Sequence, residues 1–542
     1  MKQYVNKMKG ISVLLLLMGA MLHAQEALKS DLEEYYDFLS LQGLVDRPTL
    51  NYRTLSDSVW DIKAGTEHLW EHNRLVGNYT LFEKLNLRIY GPELFMSVNT
   101  AAPYGQNDGA LWQGKGFNTS FTTGVRLEAY GIEATFKPQL SFSQNAAFEI
   151  MPSTYDSEYG YFWGYSHNVG IDAPQRFGNK PFWTWDWGDS EIRYTWKTLT
   201  AGFGTQAVWI GPSYRNAMLH SNNAPSYPKF DIGLRRQGVT LPWLGWYIGE
   251  VEARLWVGYL SESDYFDNDP SNNHNMFHGF SFAYAPSFLP GLTLSANRVC
   301  LVPWEWANLK YMVPSDENTI EDQKASFATS WFFPKVGLTV YGELGIDDYP
   351  PDLYIGMLKY PFRSTVYSFG IKKIVNVNPR KSVYGELIFE FNWLEMTQEF
   401  QFQWPTSFYF HHLIKQGYTN RGQYIGSGLG SGGNSQYLSF QVYYPKGNSS
   451  LFIMRNNPDN NYIYKNAVYD SAAGGKLEHY IWDVKSLFSI GLNSDYFITP
   501  SLMVTAGLTD NMIINPKYER TTNGSYIFIH NINISLGIKY TF

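Results

Sequence analysis

Residues Trp209 to Phe230, WIGPSYRNAMLHSNNAPSYPKF, set His220 beside Ser221 with Asn222 and Asn223 next in line. A hydroxyl nucleophile needs a base to take its proton and a third group to orient that base. A Ser-His-Asn set would serve, but neighbours on an extended segment point in opposite directions. His220 is therefore badly placed to serve Ser221, and no G-x-S-x-G elbow occurs anywhere in the chain. The reading that follows is a loop braced by Pro212, Pro225 and Pro228, its Asn amides satisfying its own backbone. No catalytic residue is expected.

Other candidate ligand sites are weaker. Asp264, Asp267, Asp269 and His274 share the stretch DYFDNDPSNNHN, but not in the ligand order of a calcium loop, so a solvated loop is expected. The run GSGLGSGGNS from Gly426 to Ser435 lacks the Lys-Ser/Thr of a phosphate loop; a flexible or closely approaching surface segment fits it. His411 and His412 have no carboxylate or cysteine at metal spacing. Neither metal nor cofactor is expected.

What accumulates instead is chemistry suited to sugars. YDSEYGYFWGYSHN and GNKPFWTWDWGDSE gather Trp163, Tyr165, Trp183, Trp185 and Trp187 among Asp and Asn, with Arg176 between the two stretches. Aromatic faces against sugar C–H edges, framed by amides and carboxylates that bond hydroxyls, make a saccharide site. The candidate contacts are these residues with Asn222 and Asn223. For each aromatic the alternative is a membrane-interface girdle or loop packing.

The elements that would position these groups are strands. NINISLGIKYTF alternates strictly: Ile532, Ile534, Leu536, Ile538, Tyr540 and Phe542 share one face, and Asn533, Ser535, Gly537, Lys539 and Thr541 the other. A last strand ending in Phe is similar to the assembly signal of outer-membrane barrels. SVYGELIFEFNWLE and VEARLWVGYL repeat the pattern: Leu387, Phe389 and Leu255 are expected on lipid, and Glu386, Glu390, Glu252 and Arg254 in the lumen. Charges on a lipid face cost ~2–4 kcal/mol near the midplane, so the membrane demands this segregation. Aromatics make up 17% of residues, with 40 Tyr and 18 Trp, and supply enough rings for girdles at both interfaces. The ~455 residues after about Leu85 allow roughly 16 to 20 strands in a large antiparallel transmembrane β-barrel. Turns are expected at Asn107-Asp108-Gly109, Asn378-Pro379 and Asn523-Gly524.

Before the barrel come two other segments. Lys2, Lys7 and Lys9, the apolar run ISVLLLLMGAML and His23-Ala24 have the three parts of a secretory signal peptide over residues 1–24, with cleavage expected after Ala24. No cysteine stands there for lipidation, and Cys300 is the only cysteine, which excludes intramolecular disulfides. Removing the leader takes three of the 42 basic residues and no acid, leaving 39 against 49, a poor match for nucleic acid. Residues 25–84 are expected as a small helical segment on the periplasmic side, and 85–542 as the barrel with its plug loops. Ser30 and Glu33 have capping-box spacing, Leu32, Tyr36 and Leu39 share a helical face, and Gly43 can close the helix. A second helix is expected at TEHLWEHNRL, capped by Thr66. The segment would either cap one barrel end or offer a platform to periplasmic machinery.

Several stretches, in order, carry a likeness: YYDFLSLQGLVDRPTLNYRTLS, NDGALWQGKGFN, IDAPQRFG, VWIGPSYRNAMLHSNNAPSYPKF, EDQKASFATSWFFP with VYGELGIDDYP, and GYTNRGQYIGSGLGSGGNSQYL. On these the chain resembles the Wzi-type capsule assembly family in a version like those of the Bacteroidetes. Gly211, Pro212, Ser221, Ala224, Asp322, Gln323, Gly422 and Gln423 are the motif positions that match, as structural residues. Ile210 stands where an aromatic is expected, Asn420 where a His is common, and Pro225-Ser226 where the family has Arg-Pro. The resemblance implies an outer-membrane barrel of about 18 strands, plugged by its own loops, that the barrel assembly machinery inserts in the bilayer. It further implies non-catalytic, lectin-like attachment of exported capsular polysaccharide. The rival readings are a diffusion porin and an outer-membrane hydrolase.

Overall fold

The computed structural model describes residues 30–63, 65–82, 84–153, 156–160, 171–313, 320–347, 358–359, 365–395, 408–459 and 481–542. The expected leader and its cleavage point lie outside them, as do Trp163 and Tyr165.

Side chains that alternate between apolar and polar build the wall. It is a closed antiparallel barrel of 18 strands, running from Leu85–Asn99 to Phe528–Tyr540. One wall strand is split into Ile132–Phe136 and Gln139–Ser143, and the next into Phe182–Asp186 and Glu191–Trp196. The seam joins Asn533–Lys539 to Asn99–Glu93. Beyond it the short strand Gly77–Phe82 folds back on Leu85–Ile89, and Gly77 lies against the carbonyl of Phe542. Tight turns such as Tyr130-Gly131 and Lys197-Thr198 lie at one end, long connections at the other. In outer-membrane barrels the tight turns are periplasmic.

The faces fall as the alternation requires. Leu255, Leu387, Ile534, Leu536 and Tyr540 are exposed outward, and Glu252, Arg254, Glu386 and Glu390 are buried inward. No helix among the described residues is long and apolar enough to cross a membrane. The expected turns form, with Asn107, Gly109 and Gly524 in left-handed conformations and Pro379–Lys381 as a 3-10 turn.

The lumen is filled. The Ser30 hydroxyl accepts the N–H of Glu33 at 3.2 Å and starts the helix Asp31–Leu41, which Gly43 closes at φ 75°. The helix is buried on more than the one expected face: Tyr35, Phe38 and Leu41 are hidden as fully as Leu32, Tyr36 and Leu39. It packs against Tyr443, Phe497 and Met503 of the wall and so stops the mouth at the tight-turn end. The second helix does not form. Residues 66–75 are turns and extended chain, because Trp70 serves tertiary partners: its ring stacks 3.8 Å from Tyr35, its N–H donates to the Tyr35 hydroxyl, and its Nε1 donates to Tyr444 O at 3.0 Å.

From the helix the chain rises inside the barrel. The Glu252 carboxylate accepts three successive N–H groups, from Leu50, Asn51 and Tyr52, at 2.8, 3.0 and 2.7 Å. Asp57 ion-pairs with Arg235 and Arg254 at 2.7 and 2.9 Å, joining a buried ladder in which Asp231 bridges Arg254 and Arg193. From the other end, the connection between Leu199–Gly204 and Lys229–Thr240 dips inward, and Trp209–Ile210 pairs with Tyr52–Arg53. The third plug segment is the described part of the connection after Val383–Trp393, where Tyr409, Tyr418 and Ile425 join the same core as Tyr52, Ile210 and Met218.

Candidate functional site

The loops and plug segments leave a depression open at the end with the long loops, a cleft of about 390 Å³. The loop after Leu85–Asn99 supplies one side. Its Asn107 turn at φ 64° is pinned by two bonds, the N–H to Asn223 Oδ1 at 3.2 Å and Nδ2 to Arg215 O at 3.0 Å. Gly109 N–H then donates to Asn222 O at 2.8 Å. That fold brings Tyr104, Asp108 and Trp112 to the cleft. Trp112 is held at a tilt against Phe177, 5.1 Å between ring centres.

The second side is the plug hairpin of Thr419–Asn420 and Gln423–Tyr424, with Gly422 at φ 80° packed on Phe177 and Pro174. Gln423 Nε2 donates to Gly109 O at 3.3 Å, and Asn223 Nδ2 donates to Tyr424 O at 3.0 Å. The remaining wall carries Lys485 and Lys517, the latter 2.6 Å from Glu149. Amides, aromatic rings and both charge signs thus meet around one hollow. Burial pushes the Asp108 carboxyl up to about 6, although Gln113 donates to it at 2.7 Å. Burial likewise brings the Lys485 ammonium down to about 8.

The sequence-predicted residues divide sharply. Asn223, Gly422 and Gln423 line the cleft. Asn222 borders it through its backbone, and Asn223 spends its side chain on the loop backbone. Arg176 lies elsewhere, donating to Asn145 O and Asn179 Oδ1 at 2.8 and 3.0 Å. Trp183, Trp185 and Trp187 correct the expectation of a shared sugar site: they are 65, 52 and 56% exposed on the outward face. The cause is parity, since Asp186 is buried inward and its odd-numbered neighbours must point out. Trp183 packs beside Phe142 and Trp187 beside Phe136, an apolar outer surface typical of an aromatic girdle.

The motif positions hold the plug. Ser221 Oγ donates to Gly426 O at 2.6 Å, and His220 sits between Val208 O and the Tyr227 hydroxyl at 2.8 and 2.6 Å. The His220 ring reaches Ser221 only at its backbone carbonyl, 3.1 Å from Nδ1, and not at its hydroxyl, and burial takes the imidazole down to about 3. Ala224 packs on the plug core. Gly211, at φ 93°, faces the Glu343 carboxylate, where any Cβ would stand 2.7 Å from Oε2. Pro212 lines a small void of about 100 Å³ beneath it. Asp322 pairs with Lys324 in the wall at 2.5 Å, and Gln323 accepts from Arg298 at 2.9 Å. The run from Gly426 is buried rather than a surface segment: Gly428 approaches Asn223 and Gln106 so closely that a Cβ would collide with both. His411 turns its Nδ1 to the Ile414 N–H at 3.1 Å. Asp267 and Asp269 accept N–H groups of their own loop.

Sequence reasoning missed Tyr104, Asp108, Trp112, Tyr424 and Lys485. Asn107-Asp108-Gly109 was read only as a turn, although its position beside Trp112 was the available signal.

Residues 98–303 match the family model of the capsule assembly protein Wzi. Among solved structures the chain resembles Wzi of Escherichia coli, described as an outer membrane protein involved in group 1 capsule assembly and a carbohydrate binding β-barrel. The TM-score is 0.59 at 13% identity, covering 96% of this chain and 99% of that one. OprB of Pseudomonas putida gives a TM-score of 0.38 at 10% identity, covering 85 and 94%. OprD of Pseudomonas aeruginosa gives 0.37 at 7%, covering 86 and 96%. No curated protein matches the sequence. The resemblance drawn from the motifs therefore holds, at the family level over residues 98–303 and in the fold of the whole barrel.

Proposed function

We propose that this Wzi-like barrel holds exported capsular or related polysaccharide at the cell surface without chemically altering it. The observation that carries the reading is the pairing of a stoppered lumen with an outward cleft that joins Trp112, Tyr104 and Tyr424 to amides and to Asp108. Rings of this kind stack on sugar faces while amides and carboxylates take the hydroxyls. The Wzi barrel, which has the same fold, is described as carbohydrate binding and as involved in capsule assembly. A polymer suits such a cleft, because many barrels gripping many repeat units gain avidity from weak single contacts.

Around this function the chain is organised as a leader over 1–24 cleaved after Ala24, a plug segment over 25–84 that begins with the helix Asp31–Leu41, and a barrel over 85–542. It reaches the outer membrane through the barrel assembly machinery. The engagement of His220 and Ser221 with different partners supports a role without catalysis.

The test is binding of the purified protein to the surface glycan of its own host, alongside a deletion strain. Retention of that glycan by wild type, its loss on Trp112→Ala, and shedding of capsule into the medium by the deletion strain support the proposal. Unchanged cell-bound capsule in the deletion strain overturns it.

A further inference from the structure

The wall has a notch. On one flank the ladder stops at the level where Gly204 pairs with both Glu191 and Lys229, and Lys229 with Gly258. Above that level residues 205–228 have left the wall for the plug, so Leu199–Gly204 offers only six residues to the membrane. A transmembrane strand needs about nine to eleven. On the far side, Phe182–Asp186 pairs with Gln139–Ser143 and with no other described strand. A gap opens beside it at Phe136 and Trp187.

The gap is a hollow of about 510 Å³ open to the outside of the barrel. Its flanks are apolar, formed by Phe136, Trp187, Ile192, Phe203 and Tyr259. Its floor is polar plug, Ser226, Asn420 and Arg421. The plug patches the edge of the strand Tyr247–Ser261: Arg421 N–H donates to Ser261 O at 2.8 Å, and Ser261 N–H donates to Asn420 Oδ1 at 3.1 Å. Arg421 does this in a left-handed conformation, φ 49°, which a glycine would adopt with less strain. Its side chain is 49% exposed, with Asp186 at 3.8 Å. The other oxygen of that carboxylate, Oδ1, accepts the Gly188 N–H at 2.7 Å and the Ser226 hydroxyl, while Oδ2 faces Arg421. A half-exposed guanidinium, held loosely by one carboxylate oxygen, thus stands at the floor of an apolar recess.

We propose that this notch is a lipid site, holding a phosphorylated, acylated glycolipid of the outer leaflet with an acyl chain along Ile192 and Phe203 and a phosphate on Arg421. Three features select this occupant. The recess lies in the half of the wall nearest the long loops, so it meets the outer leaflet. Its flanks are the surfaces that alkyl chains cover. Guanidinium groups bind phosphate through paired N–H donors, and the sugar hydroxyls of a glycolipid can bond the polar floor at Ser226 and Asn420. The site is separate from the cleft and does not depend on the polysaccharide reading.

The experiment is native mass spectrometry of the full-length protein released from nanodiscs that contain lipid A, dephosphorylated lipid A or phosphatidylglycerol. One retained lipid A per barrel is expected, with retention falling at least about fivefold in Arg421→Gly and with the dephosphorylated lipid, while Arg421→Lys keeps a phosphate partner. Arg421→Gly relieves the backbone, so a folded barrel is expected, verified by heat-modifiable migration in gels. Equal retention by wild type and Arg421→Gly, indifference to phosphate, or preference for phosphatidylglycerol would each overturn the proposal.

Discussion

Glu390 on the wall reaches Tyr214 in the plug, its carboxylate 2.5 Å from the Tyr214 backbone nitrogen. The same carboxylate takes the N–H groups of Arg215 and Asn216 at 3.1 and 3.0 Å and the Tyr341 hydroxyl at 2.8 Å. Glu252 does the same for Leu50 to Tyr52, so two wall glutamates each grip a run of three plug amides. Hydrogen bonds to a charged acceptor contribute about 1.5–3 kcal/mol apiece, and an amide left bare inside costs comparably. Glu252→Ala and Glu390→Ala should each destabilise the barrel by roughly 3 kcal/mol and loosen the stopper. Planar-bilayer recordings should show little conductance in wild type and frequent open events in the double variant. A wild type that conducts like an open porin would contradict the stoppered lumen.

Asp57 offers a sharper disturbance. Replacing it with Asn removes one of the two carboxylates that hold each of Arg235 and Arg254, which keep Glu133 and Asp231, and breaking a buried pair in this way costs at most about 3–5 kcal/mol. Urea unfolding monitored by tryptophan fluorescence should show that loss, and Asp57→Asn with Arg254→Met should recover part of it.

His220 makes stability depend on acid. Its folded imidazole titrates near 3, well below the unfolded value, so the unfolded chain binds the extra proton. The contribution is complete above the unfolded value of about 6.5 and is lost progressively as pH falls from there toward 3. His220→Gln should flatten this part of the stability profile. Ser221→Ala, which removes the bond to Gly426, should cost about 1 kcal/mol and abolish no esterase or glycosidase activity. Loss of a measurable activity on Ser221→Ala would revive the hydrolase reading.

Gly211→Ala meets two obstacles, a left-handed backbone and the Glu343 carboxylate. A strained conformation of this kind costs about 1–3 kcal/mol. Heat-modifiable gel migration should shift to lower temperature, and Gly211→Ala with Glu343→Ala should recover part of the loss.

The cleft carries its own pH signature. Asp108 becomes a carboxylate, the better acceptor for sugar hydroxyls, as pH rises through about 6, and Lys485 loses its charge above about 8. Glycan affinity measured by calorimetry should therefore peak between these values, and Asp108→Asn should remove the acidic limb. Trp112→Ala should weaken binding roughly tenfold, the scale of a lost stacking contact plus its buried area.

Strand faces were legible because lipid tolerates no mixing: Leu387 against Glu386, or Leu255 against Glu252, declared inside and outside without any knowledge of neighbours. The first helix was legible from Ser30 and Gly43. The false second helix arose because His68 to Leu75 has helical spacing, while Trp70 is claimed by Tyr35 and Tyr444. Parity alone places the tryptophans outward, since the inward Asp186 stands between Trp185 and Trp187. The cleft was illegible for a different reason. Its sides come from residues near 108, 223, 423 and 485, and the bonds between segments, such as Gly109 to Asn222 and Asn223 to Tyr424, end on backbone groups that no local pattern encodes.

The seam between Asn99 and Asn533 has a bearing on assembly. The strand Phe528–Tyr540 closes the ring, while residues 50–58 already lie inside it, bonded to Glu252 and Arg254. The partners of that early segment stand on Lys229–Thr240 and Tyr247–Ser261, away from the seam, so it can settle among them while the sheet is still an open ribbon. The stopper is then a template on which the ribbon curls, and variants that weaken it should first slow barrel closure, leaving a lengthened, protease-sensitive intermediate before any fault shows in the finished molecule.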